Sequence, residues 1–248
     1  MTDTDPRLAL WLDSLRSESE AFARSCASVG LDTPVPSCPG WDVADLVWHL
    51  TWVHDLLRVW TERLSPVPER IERAERPDRD SLIDVFRAGA EAVHVTVAAA
   101  DPDARVWTFT NEHTVRFIIR RLAHETAVHR WDADLAAGAV TSVPGPLASD
   151  GIDEFLTHFV GVPADEAVAV GGSVHLHCTD VAGEWMVRPH DDGQGFELER
   201  THAKGDCALR GGASDLLLAL WHRRPMTDLD VVGDVDVARR FLAFPRVR

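Results

Sequence analysis

No apolar run in this sequence approaches the roughly 20 residues a membrane-spanning helix needs, so no segment reads as crossing a bilayer. Lysine is nearly absent: Lys204 is the only one. Positive charge is scarce as a whole, with 25 Lys and Arg against 40 Asp and Glu, a formal balance of −15. Phosphate backbones are bound by a basic face, so this balance speaks against nucleic acid as the main partner. It speaks equally against an anionic membrane surface. Small molecules stay open, because a local pocket can be positive inside an acidic protein. The four cysteines, Cys26, Cys38, Cys178 and Cys207, lack CxxC spacing and read as reduced thiols of a cytoplasmic protein. The opening stretch MTDTDPRLALWLDSL is acidic, without a basic segment leading into an apolar one, so no signal peptide is expected. Internal repeats and low-complexity segments are missing too.

What is present is an ordinary globular mix, 45% hydrophobic and 26% charged over 248 residues. That length suits one large domain or two modest ones. Helical periodicity predicts a first helix from about Pro6 to Val29, with Pro6 near its start and Gly30 as a stop. A second follows Cys38-Pro39-Gly40-Trp41, with Asp42 as N-cap and Asp45 completing a short-armed capping box. It runs to about Leu64, before Pro66 and Pro68. The charged stretch Glu69 to Asp80 reads as a surface connection. A third helix is expected from Ser81 to Ala100 and a fourth from Thr114 to Ala137, closed by Gly138. Together they predict an antiparallel four-helix bundle.

Past Val143-Pro144-Gly145-Pro146 the texture changes. One helix (about Leu147 to Phe159) precedes alternating segments at Ser173 to Thr179, Glu184 to Arg188, Gly195 to Arg200 and Asp206 to Arg210. Turn signals fall at Ala182-Gly183 and Asp191-Asp192-Gly193, and helices at Ala213 to Trp221 and Val235 to Leu242 close the chain. The fold class is therefore α+β, with domains expected at 1–144 and 145–248.

The fourth helix carries the chemistry. Its stripe Ile118, Leu122, Glu125, Val128/His129, Asp132, Leu135 sets a carboxylate and an imidazole on the face expected to pack inward. Buried ionised groups are costly unless paired or metal-bound. His124 and His129 are five residues apart, about 140° around a helix, so this is not an HExxH arrangement. Glu125 and His129 can act together, and His49 lies close to the buried stripe of the second helix. By spacing alone, the pair can equally be a helix salt bridge and His49 a core histidine. If the three converge, two nitrogens and one carboxylate oxygen leave one coordination position open, as in a catalytic zinc site.

The segments Pro39-Gly40-Trp41-Asp42-Val43-Ala44-Asp45-Leu46-Val47-Trp48-His49-Leu50 and His124-Glu125-Thr126-Ala127-Val128-His129-Arg130-Trp131-Asp132-Ala133 resemble the mycothiol-dependent maleylpyruvate isomerase family. That family is an actinobacterial branch of the DinB-like metal-binding bundles. Around Asp206-Cys207-Ala208-Leu209-Arg210-Gly211 the chain is similar to the family's small sterol-carrier-like α+β domain. The resemblance implies metal ligands at His49, Glu125 and His129, zinc as the ion, and mycothiol or a similar thiol as cofactor. It implies an isomerase in which the thiolate adds to a cis double bond and leaves after rotation. A mycothiol-dependent S-transferase of detoxification and a non-catalytic metal- or ligand-binding protein are the alternatives.

Other residues read less sharply. Asp132 can orient a ligand or pair with Arg130, and His54 is expected in a supporting or surface role. His175 and His177 share one strand face, read as solvated or facing the first domain, not as a metal site. Cys38 precedes a helix N-terminus, where a thiolate is stabilised, but reads first as a buried or loop cysteine. Trp41, Trp48 and Trp52 read as packing anchors.

Overall fold

A computed structural model of the chain describes residues 5–139, 141–160, 170–190 and 195–243. The expected turn at Asp191-Asp192-Gly193 lies outside the described residues. The chain divides into two compact units, Met1–Thr141 and Ser142–Arg248.

The first unit is built from α1 (Pro6–Ala27), α2 (Val43–Arg63), α3 (Leu82–Ala99) and α4 (Val115–Ala136). Local chemistry sets their starts. Asp5 accepts from the Arg7 amide, with Pro6 at the first helical position. Asp42 and Asp45 form a reciprocal capping box at α2, with bonds of 2.8 and 3.2 Å. Thr114 caps α4 through the Phe117 amide. The ends are less predictable. Helix α1 stops at Ala27, and its cap residue Ser28 is right-handed, so Gly30 does not act as the stop. Helix α2 ends on Leu64 in the left-handed region (φ 49°), where a side chain is tolerated at some cost.

Helices α1 and α2 each pack against both α3 and α4. Phe22 and Phe86 meet with ring centroids 4.7 Å apart, within a core that includes Val43, Leu46, Val47 and Leu50. Helix α4 is buried almost all round, not along one stripe: Phe117, Ile119, Ala123 and Ala127 are inside, and so are Arg121, His124, His129 and Asp132. A helix with no solvent face must place its polar side chains in the interior. That is what gathers ionisable groups in the bundle. Among the described residues no helix is long and apolar enough to cross a membrane, and none of the four cysteines forms a disulfide.

The second unit opens with α5 (Gly145–His158) and continues through β1 (Val174–Cys178), β2 (Glu184–Pro189), β3 (Phe196–Glu199), β4 (Cys207–Gly211), α6 (Ala213–Leu220), β5 (Asp230–Gly233) and α7 (Val235–Ala243). Strand order is β3-β2-β1-β4-β5. Strands β1 and β4 run parallel and the other neighbours antiparallel, so the sheet is mixed, with β1 at its centre. Strand β5 has no counterpart in the sequence reading. Its four residues are too short for an alternation to register, and they pair only along one edge of β4. Gly233, after Val231 and Val232, has φ +93°, and a Cβ there would sit 2.4 Å from the Asp206 carbonyl oxygen. Only glycine fits that approach. His175 is 6% exposed, so of the two settings expected for it, solvent or the first domain, the solvated one does not hold. The rings of His177 and His202 stand edge-on against it, with centroids 5.9 and 5.1 Å away.

Candidate metal centre

The capping box orients the first turn of α2, and His49 follows near the end of its second turn. Its Nε2 lies 3.2 Å from Glu125 Oε1 on α4. One turn further along α4, His129 Nε2 lies 3.2 Å from the same oxygen. One donor atom from each of the three lies within 4.8 Å of the others. The convergence that spacing alone left open is therefore present in the fold.

Surrounding groups orient these three. His129 Nδ1–H donates to Asp132 Oδ2 at 2.8 Å, and Asp132 is fully buried. Asp132 thus serves His129, while Arg130 reaches Glu18 at 2.6 Å and Asp134 at 2.7 Å. On the far side of the carboxylate, Arg121 donates to Glu125 Oε2 at 2.6 Å. The Cys38 thiol donates to Asp132 Oδ2 at 3.5 Å, which makes it a buried cysteine tied to a carboxylate. Trp41 covers the pair of imidazoles: its ring lies 5.0 Å from His49 and stacks 6.5 Å from His129. Trp41 is a wall of the site, whereas Trp48 and Trp52 hold the Arg73 guanidinium over their rings at 4.8 and 5.8 Å.

The electrostatics follow from this crowding. Burial works against ionisation of Glu125, but the Arg121 charge and the bonds from His129 and His49 hold its carboxyl well below the usual range. Burial also works against a charged His129, yet the bonds to Asp132 and Glu125 push its pKa up to about 9. His54 goes the other way. It is completely buried, bonded through Nε2 to Thr126 Oγ1 at 2.9 Å, and burial pushes its pKa down to about 3. Since Thr126 donates its own proton to the Leu122 carbonyl, His54 must donate through Nε2, leaving a neutral ring with a bare Nδ1. A supporting position was expected for His54; full burial was not.

Arg121 is a site residue that the sequence reading passed over, and Trp41 is one that it read as a packing anchor. The i−4 spacing of Arg121 to Glu125 was a usable signal. Nothing in the spacing of Trp41 distinguishes a wall of the site from a packing anchor.

Two family models cover most of the chain. Residues 12–134 match the mycothiol maleylpyruvate isomerase N-terminal domain, and residues 146–240 match the MDMPI C-terminal domain. Among solved structures, a crystal structure of the mycothiol-dependent maleylpyruvate isomerase is 12% identical, with 92% of this chain and 94% of that chain covered and a TM-score of 0.61. A histidine-to-alanine mutant of that isomerase matches at the same identity and coverage with a TM-score of 0.59. At such identity the likeness shows the fold. No curated protein matches the chain.

Proposed function

The chain belongs to the mycothiol maleylpyruvate isomerase family, and on that premise we propose an enzyme that holds a zinc-class divalent ion through His49, Glu125 and His129 and uses mycothiol for cis–trans isomerisation of maleylpyruvate or a close analogue. The observation that carries the proposal is the pairing of His129 with Asp132. A carboxylate on Nδ1 fixes the tautomer and turns Nε2 toward His49 and Glu125, which is the outer-sphere arrangement that metal-binding histidines characteristically show. Two imidazole nitrogens and one carboxylate oxygen form a donor set suited to zinc with one position left for a ligand.

Such an ion, when bound, supplies a Lewis acid that lowers the pKa of a thiol at its open position, so that thiolate exists at neutral pH. The remaining work falls to the protein. Arg121 keeps Glu125 ionised and engages Oε2, which leaves Oε1 directed at the two histidines. Asp132 holds the His129 ring in one orientation. Trp41 restrains both imidazoles through its ring contacts. With the Cys38 proton held at Asp132, the reacting sulfur is assigned to the small thiol and not to the protein.

The test combines metal analysis with a thiol-dependent assay. Purified wild-type protein is expected to carry a divalent ion that His49→Ala loses, and to isomerise maleylpyruvate only when mycothiol is added. Equal metal content in the two proteins would sink the ligand assignment. Mycothiol-dependent conjugation of an electrophile without isomerisation would replace the isomerase reading by an S-transferase. A graded outcome is expected for Asp132→Asn, which keeps all three ligands but loses the oriented carboxylate. Its metal affinity should fall by about 10–100-fold, read by competition with a chromophoric chelator.

A further inference from the structure

The second unit contains a separate cluster of metal-binding side chains. His175 and His177 share one face of β1, and the register of β1 with β2 sets Glu184 directly opposite His177. The segment after β3 carries His202 to the same carboxylate, with its Nδ1 2.6 Å from Glu184 Oε2. His177 Nδ1 is 3.0 Å from Glu184 Oε1, and His175 Nε2 is 3.4 Å from Oε2. One donor atom from each of the four residues lies within 4.8 Å of the others. The three rings crowd together edge-on, with centroids 5.1 to 6.3 Å apart.

The hydrogen bond between His202 and Glu184 leaves the other two rings unserved. His175 Nε2 and His177 Nδ1 are buried atoms within 3.4 and 3.0 Å of Glu184, yet neither makes a hydrogen bond of workable geometry. His175 is itself only 6% exposed. A buried ring nitrogen left unserved is costly, and a cation among three imidazoles and a carboxylate would serve both. Ligand atoms about 2.0–2.1 Å from a tetrahedral zinc lie roughly 3.4 Å apart, so His175 and His177, at 3.4 and 3.0 Å from Glu184, already fall near that spacing, while His202, at 2.6 Å, would move outward to admit an ion.

We propose that His175, His177, Glu184 and His202 form a second divalent-metal site of the zinc class, which ties the segment between β3 and β4 to the sheet. Imidazole-rich sites favour zinc, nickel, cobalt or copper over magnesium or calcium. The protonation states suit the role. Burial lowers the His175 pKa, which keeps that ring neutral. Burial works against ionisation of Glu184, but the bond from His202 and the fields of His202 and His177 hold its carboxyl below the usual range. Four protein ligands make a closed site, so its part is structural. Because His202 is exposed and lies on the connecting segment, its bond to the ion would hold that segment in place.

The experiment uses the full chain with His49→Ala and His129→Ala, so that the bundle centre is removed. Titration with Co²⁺ should still show one equivalent bound at micromolar metal, with the visible absorption of a four-coordinate ion. Adding His175→Ala and His177→Ala should abolish it, and His202→Ala should weaken it by more than about tenfold. A second readout uses Lys204, which is exposed and is the only lysine in the chain. A lysine-specific protease therefore has one cleavage site, beside His202, and metal should slow that cut in the parent protein but not in the His202→Ala variant. No binding in the parent, or binding and protection that survive loss of these histidines, overturns the proposal. Wild type binding one equivalent and the His49/His129 variant none would leave the bundle centre standing and this site refuted. One equivalent in both would do the reverse.

Discussion

Glu125→Ala is expected to remove metal binding and to destabilise the first unit by about 3–5 kcal/mol, the loss typical of breaking a buried ion pair from one side. Three groups address this carboxylate: Arg121 at Oε2, and His49 and His129 at Oε1. Arg121 is 4% exposed and His129 6%, so the charge they carry cannot be re-solvated where it stands. Without Glu125, Arg121 loses its 2.6 Å bond to that carboxylate, and the influence that keeps His129 protonated is weakened. Urea denaturation of metal-stripped protein separates this effect from metal linkage, since bound metal stabilises the folded state by mass action. Glu125→Gln keeps the shape and loses only the charge, so it should fall between wild type and Glu125→Ala. A denaturation midpoint for Glu125→Ala equal to that of wild type would show that the carboxylate does not hold this cluster together.

The second large effect is acid instability centred on His54. Its folded pKa of about 3 lies below the ordinary value of 6.5, because burial excludes the charged ring. The unfolded chain therefore binds a proton that the folded chain refuses. Stability from this source is complete above pH 6.5 and is lost as pH falls toward 3. The slope is about 1.4 kcal/mol per pH unit, or about 3 kcal/mol by pH 4.5 and about 5 kcal/mol at the limit. Depressed carboxyls such as Glu125 add their own loss below pH 4.5, so the interval from 6.5 to 4.5 is the one that isolates histidine. His94 and His175 are shifted in the same direction, so the informative quantity is the difference between wild type and His54→Gln. Glutamine can keep the bond to Thr126 and does not titrate in this range. The wild-type stability curve should fall more steeply than that of the variant between pH 6.5 and 4.5. Parallel curves would mean that His54 accepts a proton in place.

The same acid interval bears on the metal centre. His129, with a folded pKa of about 9, holds a proton at neutral pH while no ion is bound, and an ion taking Nε2 must displace it. On the proposed ligand assignment, metal uptake and protonation compete at His129, and chelator competitions with Asp132→Asn should be made at one fixed pH.

Much of the architecture was legible in the residues. Asp42 with Asp45 and the Gly138 stop are local signals, and local signals act before any tertiary contact forms. The i,i+4 spacing of Glu125 and His129 holds wherever α4 packs, and alternation alone places His175 and His177 on one face. Those statements needed only the chain. What covers a face, and what meets it from elsewhere, needed the fold. Spacing could not say that His49 would reach across from α2, that α4 would be enclosed on almost every side, or that His54 would be sealed off from water. Strand β5 and the parallel pairing of β1 with β4 were invisible because strand neighbours are chosen by packing and not by local pattern. The bundle site in the end is a sequence motif completed by tertiary contact. The cluster at Glu184 depends still more on the fold, since His202 joins it only through the path of the chain after β3. Burial and convergence arise from distant segments, and these are what turn ordinary histidines and carboxylates into candidate ligands.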